Sequence, residues 1–282
     1  MKSLLKYIAI FIAFNAIFTS CKKDENNKVE EDNSGTVEVV FVPMHGANSL
    51  KMNESFTTPA GEEFTINDMK FFVSSVAVVQ KDAKEIAAKP FADDSSQIGT
   101  WLIDFTKPNF DAGYGNQSFK FKFKAPEGDY ADLRFSVSVP REYNLADISK
   151  NPYPLNGSNG MYWSWNSGFK FFVINGTSPT VGGSGAVHLS IGQGFRNIDY
   201  NFRSMLLAAQ RPGIVVEKGK TTRIIYTYDV NKLLTNVNGT PYSFVTSPGS
   251  PSKSQVHGGE MSSVLQQNAA GAIDLLDFYI SQ

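Results

Sequence analysis

Apolar and polar residues alternate at a period of two through most of the chain after residue 35. Phe119, Phe121 and Phe123 alternate with three lysines, and the segment 133–139 repeats the pattern with Leu, Phe and Val. Residues two apart on an extended strand face the same way, so each such segment has one apolar and one solvated face. Similar segments lie at 37–41, 63–79, 101–105, 186–191, 198–202, 213–217, 222–228 and 275–280.

These segments are short and are separated by turn residues rich in Gly, Pro, Asn and Ser, and the sequence between them has almost no helical periodicity. About ten short antiparallel strands with this punctuation are typical of an all-β protein. We therefore predict a single β-sandwich domain over residues 36–282.

The first 20 residues have a different character. Lys2 and Lys6 precede a short apolar run at 7–18, which is the arrangement of a secretory signal peptide and is too short for a typical membrane span. The segment Phe18-Thr19-Ser20-Cys21 resembles a bacterial lipobox. That resemblance implies that Cys21 is lipidated and becomes the mature N-terminus. Cys21 is also the only cysteine, so the chain can form no internal disulfide.

Residues 21–35 are predicted to be the lipidated cysteine followed by a flexible tether, because residues 22–35 are almost all polar or charged. The charged run after Cys21 resembles the start of Bacteroidetes lipoproteins, some of which are displayed on the cell surface. The expected location is therefore the outer membrane, with Cys21 as the membrane anchor. The sequence leaves the periplasmic side and the cell surface open as alternatives.

Composition and charge exclude several classes of function. The net charge is -1 and no basic cluster is present, which argues against nucleic acid as a partner. The chain has no Gly-x-Ser-x-Gly nucleophile elbow and no glycine-rich phosphate loop that opens a helix. We therefore predict that the protein is not an enzyme.

Two of the three tryptophans, Trp163 and Trp165, lie two residues apart just before Gly168. In an extended backbone both rings face the same side. Such a pair can serve as core packing, as a stacking platform, or as part of a redox or metal site. The residues of this stretch by themselves leave all three alternatives open.

The chain has three histidines, and each lies where a metal could be reached. His45 ends the first predicted strand, His188 lies on the less apolar face of the segment 186–191, and His257 precedes two glycines. Imidazoles without cysteine suit copper or zinc, and thioethers such as that of Met161 suit Cu(I).

The tryptophan stretch, Met161-x-Trp163-x-Trp165-x-x-Gly168-Phe169-Lys170-Phe171, resembles the signature of the MbnP-like family. This family comprises methanobactin-associated copper-binding proteins and their Bacteroidetes lipoprotein relatives. Further blocks resemble the family in the same order, at 58–66 with 70–74, at 129–140 with Asn144, and at 186–189. The resemblance covers residues 36–282. One departure is Leu145, which follows Asn144 where copper-binding members tend to have His.

The resemblance implies an extracytoplasmic β-sandwich with copper as cofactor. In some members a tryptophan is oxidised to kynurenine by a partner, a di-haem cytochrome peroxidase-like enzyme. We therefore predict a membrane-anchored copper-binding lipoprotein with His45, His188 and His257 as ligands. Trp163, Trp165 and Met161 are then expected to line the site, with one tryptophan modified.

The alternative is a metal-free ligand-binding or adhesion module whose aromatic residues contact a sugar or a peptide. Convergence of the three histidines on one edge of the sandwich would favour copper. An open aromatic groove with scattered histidines would favour the alternative.

Overall fold

Two β-sheets pack against each other in the computed structural model of the chain. The described residues are 32–94, 96, 98–110, 117–163, 168–179, 183–189, 198–201, 213–235, 238–243, 255–256, 264–265, 267–269 and 271–281, with the backbone alone at 183–189, 198–201 and 255–256. All strands belong to one compact unit, Asn33–Gln282. The predicted signal peptide, Cys21 and the tether as far as residue 31 lie outside the described residues.

The strands are, in chain order, β1 (Ser34–His45), β2 (Asn48–Ser49), β3 (Ser55–Thr57), β4 (Glu63–Gln80), β5 (Glu85–Ala87), β6 (Trp101–Asp104), β7 (Phe119–Pro126), β8 (Gly128–Val137), β9 (Phe172–Ser178), β10 (Gly183–Leu189), β11 (Ile198–Asn201), β12 (Ile214–Val216), β13 (Thr221–Asp229), β14 (Gln255–Val256) and β15 (Ile273–Ser281). The helices are α1 (Arg141–Asn144), a 3₁₀ turn (Ile148–Lys150) and α2 (Val230–Leu233). Among the described residues, no helix is long and apolar enough to cross a bilayer.

Five strands form sheet A, in which β1 is central. It pairs with β13 in parallel, from Thr36 opposite Thr221 to Met44 opposite Asp229. It also pairs with β7 and β2 in the antiparallel sense, and β15 closes the sheet beyond β13.

Ten strands form sheet B, with the order β11-β8-β4-β9-β10-β14. Strand β12 adds to β8, and β3, β5 and β6 add to β4. The pairing of β10 with β14 is parallel and the other pairings of the sheet are antiparallel. The longest strand, β4, therefore organises this sheet.

The main core lies between the two sheets and is rich in aromatic rings. Phe41 of sheet A meets Phe71 of sheet B edge to face, with ring centroids 5.2 Å apart. Phe172 and Tyr228 stack at 5.1 Å in the same layer. Each fully buried aromatic side chain of this kind contributes about 1.5–3 kcal/mol through removal of apolar area from water. This layer fixes β4 and β9 against β1 and β13.

Sheet B is also covered on its outer face, by the segment between β8 and β9. The outer cluster consists of Phe72, Leu102, Val139, Leu155, Met161, Phe169, Phe171 and Val173. Strand β4 therefore has Phe71 in the inner core and Phe72 in the outer cluster. Burial on both faces removes the need for polar residues at alternate positions, which explains the consecutive apolar residues here.

The prediction of an all-β sandwich is confirmed, with two differences in detail. The described residues contain fifteen strands where alternation indicated about ten, and five of the fifteen have only two or three residues. Alternation cannot be recognised over so few positions. Two pairings, β1 with β13 and β10 with β14, are parallel although the prediction was antiparallel throughout.

Candidate functional site

The predicted tryptophan stretch folds back on itself over the outer face of sheet B. The backbone N–H of Trp163 donates to the carbonyl of Gly168 at 3.0 Å, and Lys170 N–H donates to the carbonyl of Met161 at 2.7 Å. We call residues 161–163 and 168–170 the tryptophan hairpin. Residues 164–167, which include Trp165, lie outside the described residues.

Asn144, at the end of α1, forms a hydrogen bond to the tryptophan hairpin, although the two are far apart in the sequence. Its Oδ1 accepts the backbone N–H of Phe169 at 2.8 Å, across 25 residues. The following residue, Leu145, is 63% exposed. The position where copper-binding members tend to have His is therefore at the surface, next to the residue that anchors the hairpin.

The ring of Trp163 is 7% exposed and carries a cation on one face. The Lys170 ammonium lies 4.7 Å from the ring centroid and also donates to the carbonyl of Gly160 at 3.0 Å. Burial lowers the pKa of Lys170, and repulsion from Lys70 adds to this, while attraction to Asp68 opposes it. A cation on an indole face is stabilised by the ring quadrupole.

Met161 lies inside the outer cluster and is almost completely buried. Its cluster neighbours include Phe72 and Phe169. The described side chain therefore packs among apolar groups, and its role in lining a site remains a prediction.

His188 lies on β10. Its backbone belongs to a row of paired residues that crosses sheet B from β10 through β9 to β4. Its α-carbon pairs with Val173 on β9, and Val173 pairs with Lys70 on β4. The Lys70 ammonium forms an ion pair with Asp68 at 2.9 Å. The row of paired residues therefore runs from the backbone of His188 to Lys70. Lys70 and Asp68 are close enough to Lys170, in the tryptophan hairpin, to affect its pKa.

The parallel pairing of β10 with β14 relates His188 to His257. Val187 pairs with Val256, and in the sequence these two residues are followed by His188 and His257. His257 itself lies outside the described residues.

His45 lies in another part of the sandwich. Its ring packs against Phe56 of β3, with centroids 5.1 Å apart, and Phe56 pairs with Phe64 of β4. The row of His188 meets β4 at Lys70, six residues further along. At a rise of about 3.3 Å per residue this is roughly 20 Å of strand. The contacts of His45 and the backbone pairing of His188 therefore meet β4 at different points.

Among the described residues, no three His, Cys, Asp or Glu side chains are close enough to hold a metal ion. The His188 side chain, His257 and Cys21 are not among the groups described. The ligand set predicted from the sequence therefore remains a prediction.

A family model for MbnP matches residues 34–249. The chain belongs to the MbnP family. Among solved structures, MbnP from Methylosinus trichosporium matches with 18% identity and a TM-score of 0.50, over 71% of this chain and 77% of that one. A search of curated protein sequences found no match. The resemblance drawn from the tryptophan stretch is confirmed.

Lys170, Lys70 and Asp68 were not predicted from the sequence as part of the hairpin's surroundings. A usable signal was present for Lys170, which lies between Phe169 and Phe171 within the signature itself. A lysine between two aromatic residues next to a tryptophan pair is a candidate for a cation–π contact. Nothing in the local pattern indicates that Lys70 and Asp68 lie beside it, since that proximity depends on the pairing of β4 with β9.

Proposed function

We propose that this MbnP-family chain is an extracytoplasmic, membrane-anchored, copper-binding lipoprotein whose copper ligands include His188 and His257. Membership of the family supports the copper-related role. The observation that supports this choice of ligands is the parallel pairing of Val187 with Val256, the residues that precede His188 and His257 in the sequence.

The donor chemistry at this position fits copper. Imidazole nitrogens are favoured ligands of copper, and a pair on neighbouring strands is held by the sheet. Lys70, Asp68 and Lys170 together carry one net positive charge near the row, which raises the free energy of a divalent cation more than that of a monovalent one. We therefore propose Cu(I) as the bound state. When bound, the copper would supply one-electron redox chemistry, and the chain would hold it and limit its access to solvent.

The test is a Cu(I) titration of the full chain against a competing chelator under anaerobic reducing conditions. We expect about one copper per chain, with a large loss of affinity in His188→Ala and His257→Ala. His45→Ala is the matched control, and it should have the smallest effect of the three. Binding should also fail below about pH 6.5, where imidazoles are protonated. Absence of copper uptake, or uptake indifferent to His188 and His257, would contradict the proposal.

We further propose that Cys21 anchors the chain in the outer membrane through its lipid. Acyl chains contribute about 0.8 kcal/mol per buried methylene, so a cysteine that carries two or more chains is held stably. Cell fractionation of the parent chain and of Cys21→Ala tests this proposal. Once its signal peptide is cleaved, the variant should leave the membrane fraction, and a cleaved variant that stays there would refute the anchor. Protease treatment of intact cells distinguishes surface display from the periplasmic side.

The native protein is also proposed to carry one tryptophan oxidised to kynurenine by a di-haem cytochrome peroxidase-like partner. Lys170 on the face of Trp163 makes electron loss from that ring harder, which favours Trp165 as the modified residue. Peptide mass mapping of protein made with and without the partner tests this. Unmodified tryptophans in the native protein would refute it.

A further inference from the structure

One end of the sandwich is the end at which β1 begins. The turn between β12 and β13 closes over this point, because the Gly219 N–H donates to the carbonyl of Ser34 at 3.1 Å. A row of paired residues crosses the whole of sheet A here, through Lys89, Lys124, Thr36, Thr221 and Ser281. We call this row, together with the turns 81–84, 126–128 and 217–220, the entry end.

Sheet B reaches the same end. Tyr130 of β8 is paired with Ile214 of β12 and with Gln80 of β4. The Tyr130 hydroxyl donates to the carbonyl of Pro126, at the end of β7 in sheet A, at 2.7 Å. Since strands lie about 4.8 Å apart, the turn 81–84, which follows Gln80, lies beside the turns of sheet A.

The predicted tether joins the domain at the entry end. About 13 residues separate Cys21 from Ser34, and a flexible chain of that length has a root-mean-square span of about 20 Å. If Cys21 is anchored as proposed, the domain is held at an effective concentration of about the millimolar range next to the bilayer. A weak attraction is then sufficient to orient it.

Long cationic side chains surround the point of entry. Lysines exceed carboxylates by only one here, so an attraction depends on reach as well as on charge. A lysine stem can extend its ammonium to a phosphate while a shorter aspartate remains near the backbone. The lysines are Lys81, Lys84, Lys89, Lys124, Lys218 and Lys220, and the carboxylates are Asp32, Asp82, Glu127, Asp129 and Glu217.

The end of β15 adds exposed apolar surface beside these lysines. Tyr279 is 37% exposed and Ile280 is 36% exposed. Both lie within two residues of Ser281, and therefore within about 7 Å of the row through Thr36. Apolar and aromatic groups next to lysines are typical of a surface that enters the headgroup region of a bilayer.

We propose that the entry end lies on the anionic phosphate headgroups of the bilayer that holds Cys21. This inference rests on the proposed anchor and adds an orientation to it. Lys70, which lies near Lys170 of the tryptophan hairpin, is ten residues along β4 from Gln80, or roughly 30 Å of strand. The tryptophan hairpin is then held away from the bilayer, where a soluble partner has access to it.

The experiment uses the chain from Cys21 onwards, which retains the compact unit Asn33–Gln282. Cys21 is its only thiol, so it can be coupled to a maleimide lipid in vesicles of phosphatidylcholine with or without phosphatidylglycerol. Acylation of each lysine by a water-soluble active ester is followed by mass spectrometry. Entry-end lysines should react several-fold more slowly on the anionic vesicles. Exposed lysines elsewhere, Lys51, Lys107 and Lys150, are the internal control and should react alike on both.

Two variants show whether the named side chains cause this protection. Replacing Lys81, Lys84 and Lys218 together by Gln should remove the protection of Lys89, whereas the same change at the three control lysines should preserve it. Ile280→Asn should weaken the protection, and Leu145→Asn, at an exposed leucine outside the entry end, should not.

Equal protection of all the lysines, the same protection on neutral vesicles, or protection indifferent to the entry-end variants would overturn the proposal. Because Cys21 is coupled chemically, these outcomes do not depend on whether cells lipidate it. Cell fractionation of Cys21→Ala measures that separately, so failure of the orientation is distinguishable from failure of the anchor.

Discussion

Trp101 and Trp163 are both nearly buried, yet they have different surroundings. Trp101 belongs to a strand, its ring stacks on Phe121, and its N–H donates to a carboxylate. Trp163 belongs to a hairpin over the outer face of sheet B, and an ammonium lies over its ring. The ring of Trp101 is therefore fixed both by stacking on its face and by the hydrogen bond of its N–H. The ring of Trp163 lies in a hairpin that is anchored by a hydrogen bond to Asn144 across 25 residues.

The difference shows that tryptophan burial alone does not distinguish structural from functional roles. A ring fixed by strand pairing and stacking is a core anchor. A ring in a loop with a half-buried cation beside it lies in an environment that responds to charge.

The largest expected effect is on stability at Trp101. Trp101→Ala should lower the free energy of unfolding by about 3–5 kcal/mol, as for other large core residues. Trp163→Ala should cost less, because a hairpin can rearrange more readily than paired strands. Urea denaturation measures both, and equal losses would mean that the hairpin is as firmly packed as the core.

The second-largest expected effect is the loss of stability when the indole N–H of Trp101 is removed. Trp101→Phe should cost about 1.5–3 kcal/mol, because it removes a hydrogen bond to the Asp94 carboxylate. A double-mutant cycle with Asp94→Ala measures the coupling between the two side chains by urea denaturation. Zero coupling would contradict the interpretation of Trp101 as an anchor held at its N–H.

A third prediction concerns copper affinity beside the tryptophan hairpin. Leu145→His places an imidazole where copper-binding family members tend to have one, beside the anchor Asn144. We expect tighter copper binding by about tenfold, the order of effect seen for single contacts around a metal. Leu276→His, at another exposed leucine, is the control. A similar gain in both variants would mean that surface histidines bind copper anywhere on this protein.

The smallest effect concerns the cation on Trp163. Lys170→Met should cost at most about 0.5–2 kcal/mol at neutral pH, because loss of the cation–π contact is partly offset by removal of the desolvation cost of the ammonium. Lys122→Met is the control, because Lys122 also lies over a ring, that of Phe91 at 4.7 Å, but is exposed. Thermal melts of the two variants should show the larger loss for Lys170.

The pH dependence of Lys170 gives a second measurement. The pKa of Lys170 is lower in the folded chain than in the unfolded chain, so the charged ammonium lowers the free energy of unfolding. This penalty is complete at pH values below the folded pKa. The penalty is relieved as the pH rises through the folded pKa towards the unfolded value. The stability of the parent should therefore rise relative to Lys170→Met over that alkaline interval. A constant difference would contradict the lowered pKa.

Much of the fold was predictable from local pattern. The alternation at 119–123 and 133–139 became β7 and β8, because strands with one buried face need it. The prediction failed at two- and three-residue strands, which are too short for any period. Alternation is also a weak guide within 63–79, since much of β4 is buried on both faces.

The sequence by itself determined the family, the class of fold and the tryptophan signature, because these depend on residue types at short spacings. Tertiary structure alone decided that β10 runs parallel to β14, that Lys70 and Asp68 approach Lys170, and that Trp101 stacks on Phe121. Each of these is a contact between segments far apart in the chain. Such contacts are selected by the packing of both sheets together, and no local period specifies them.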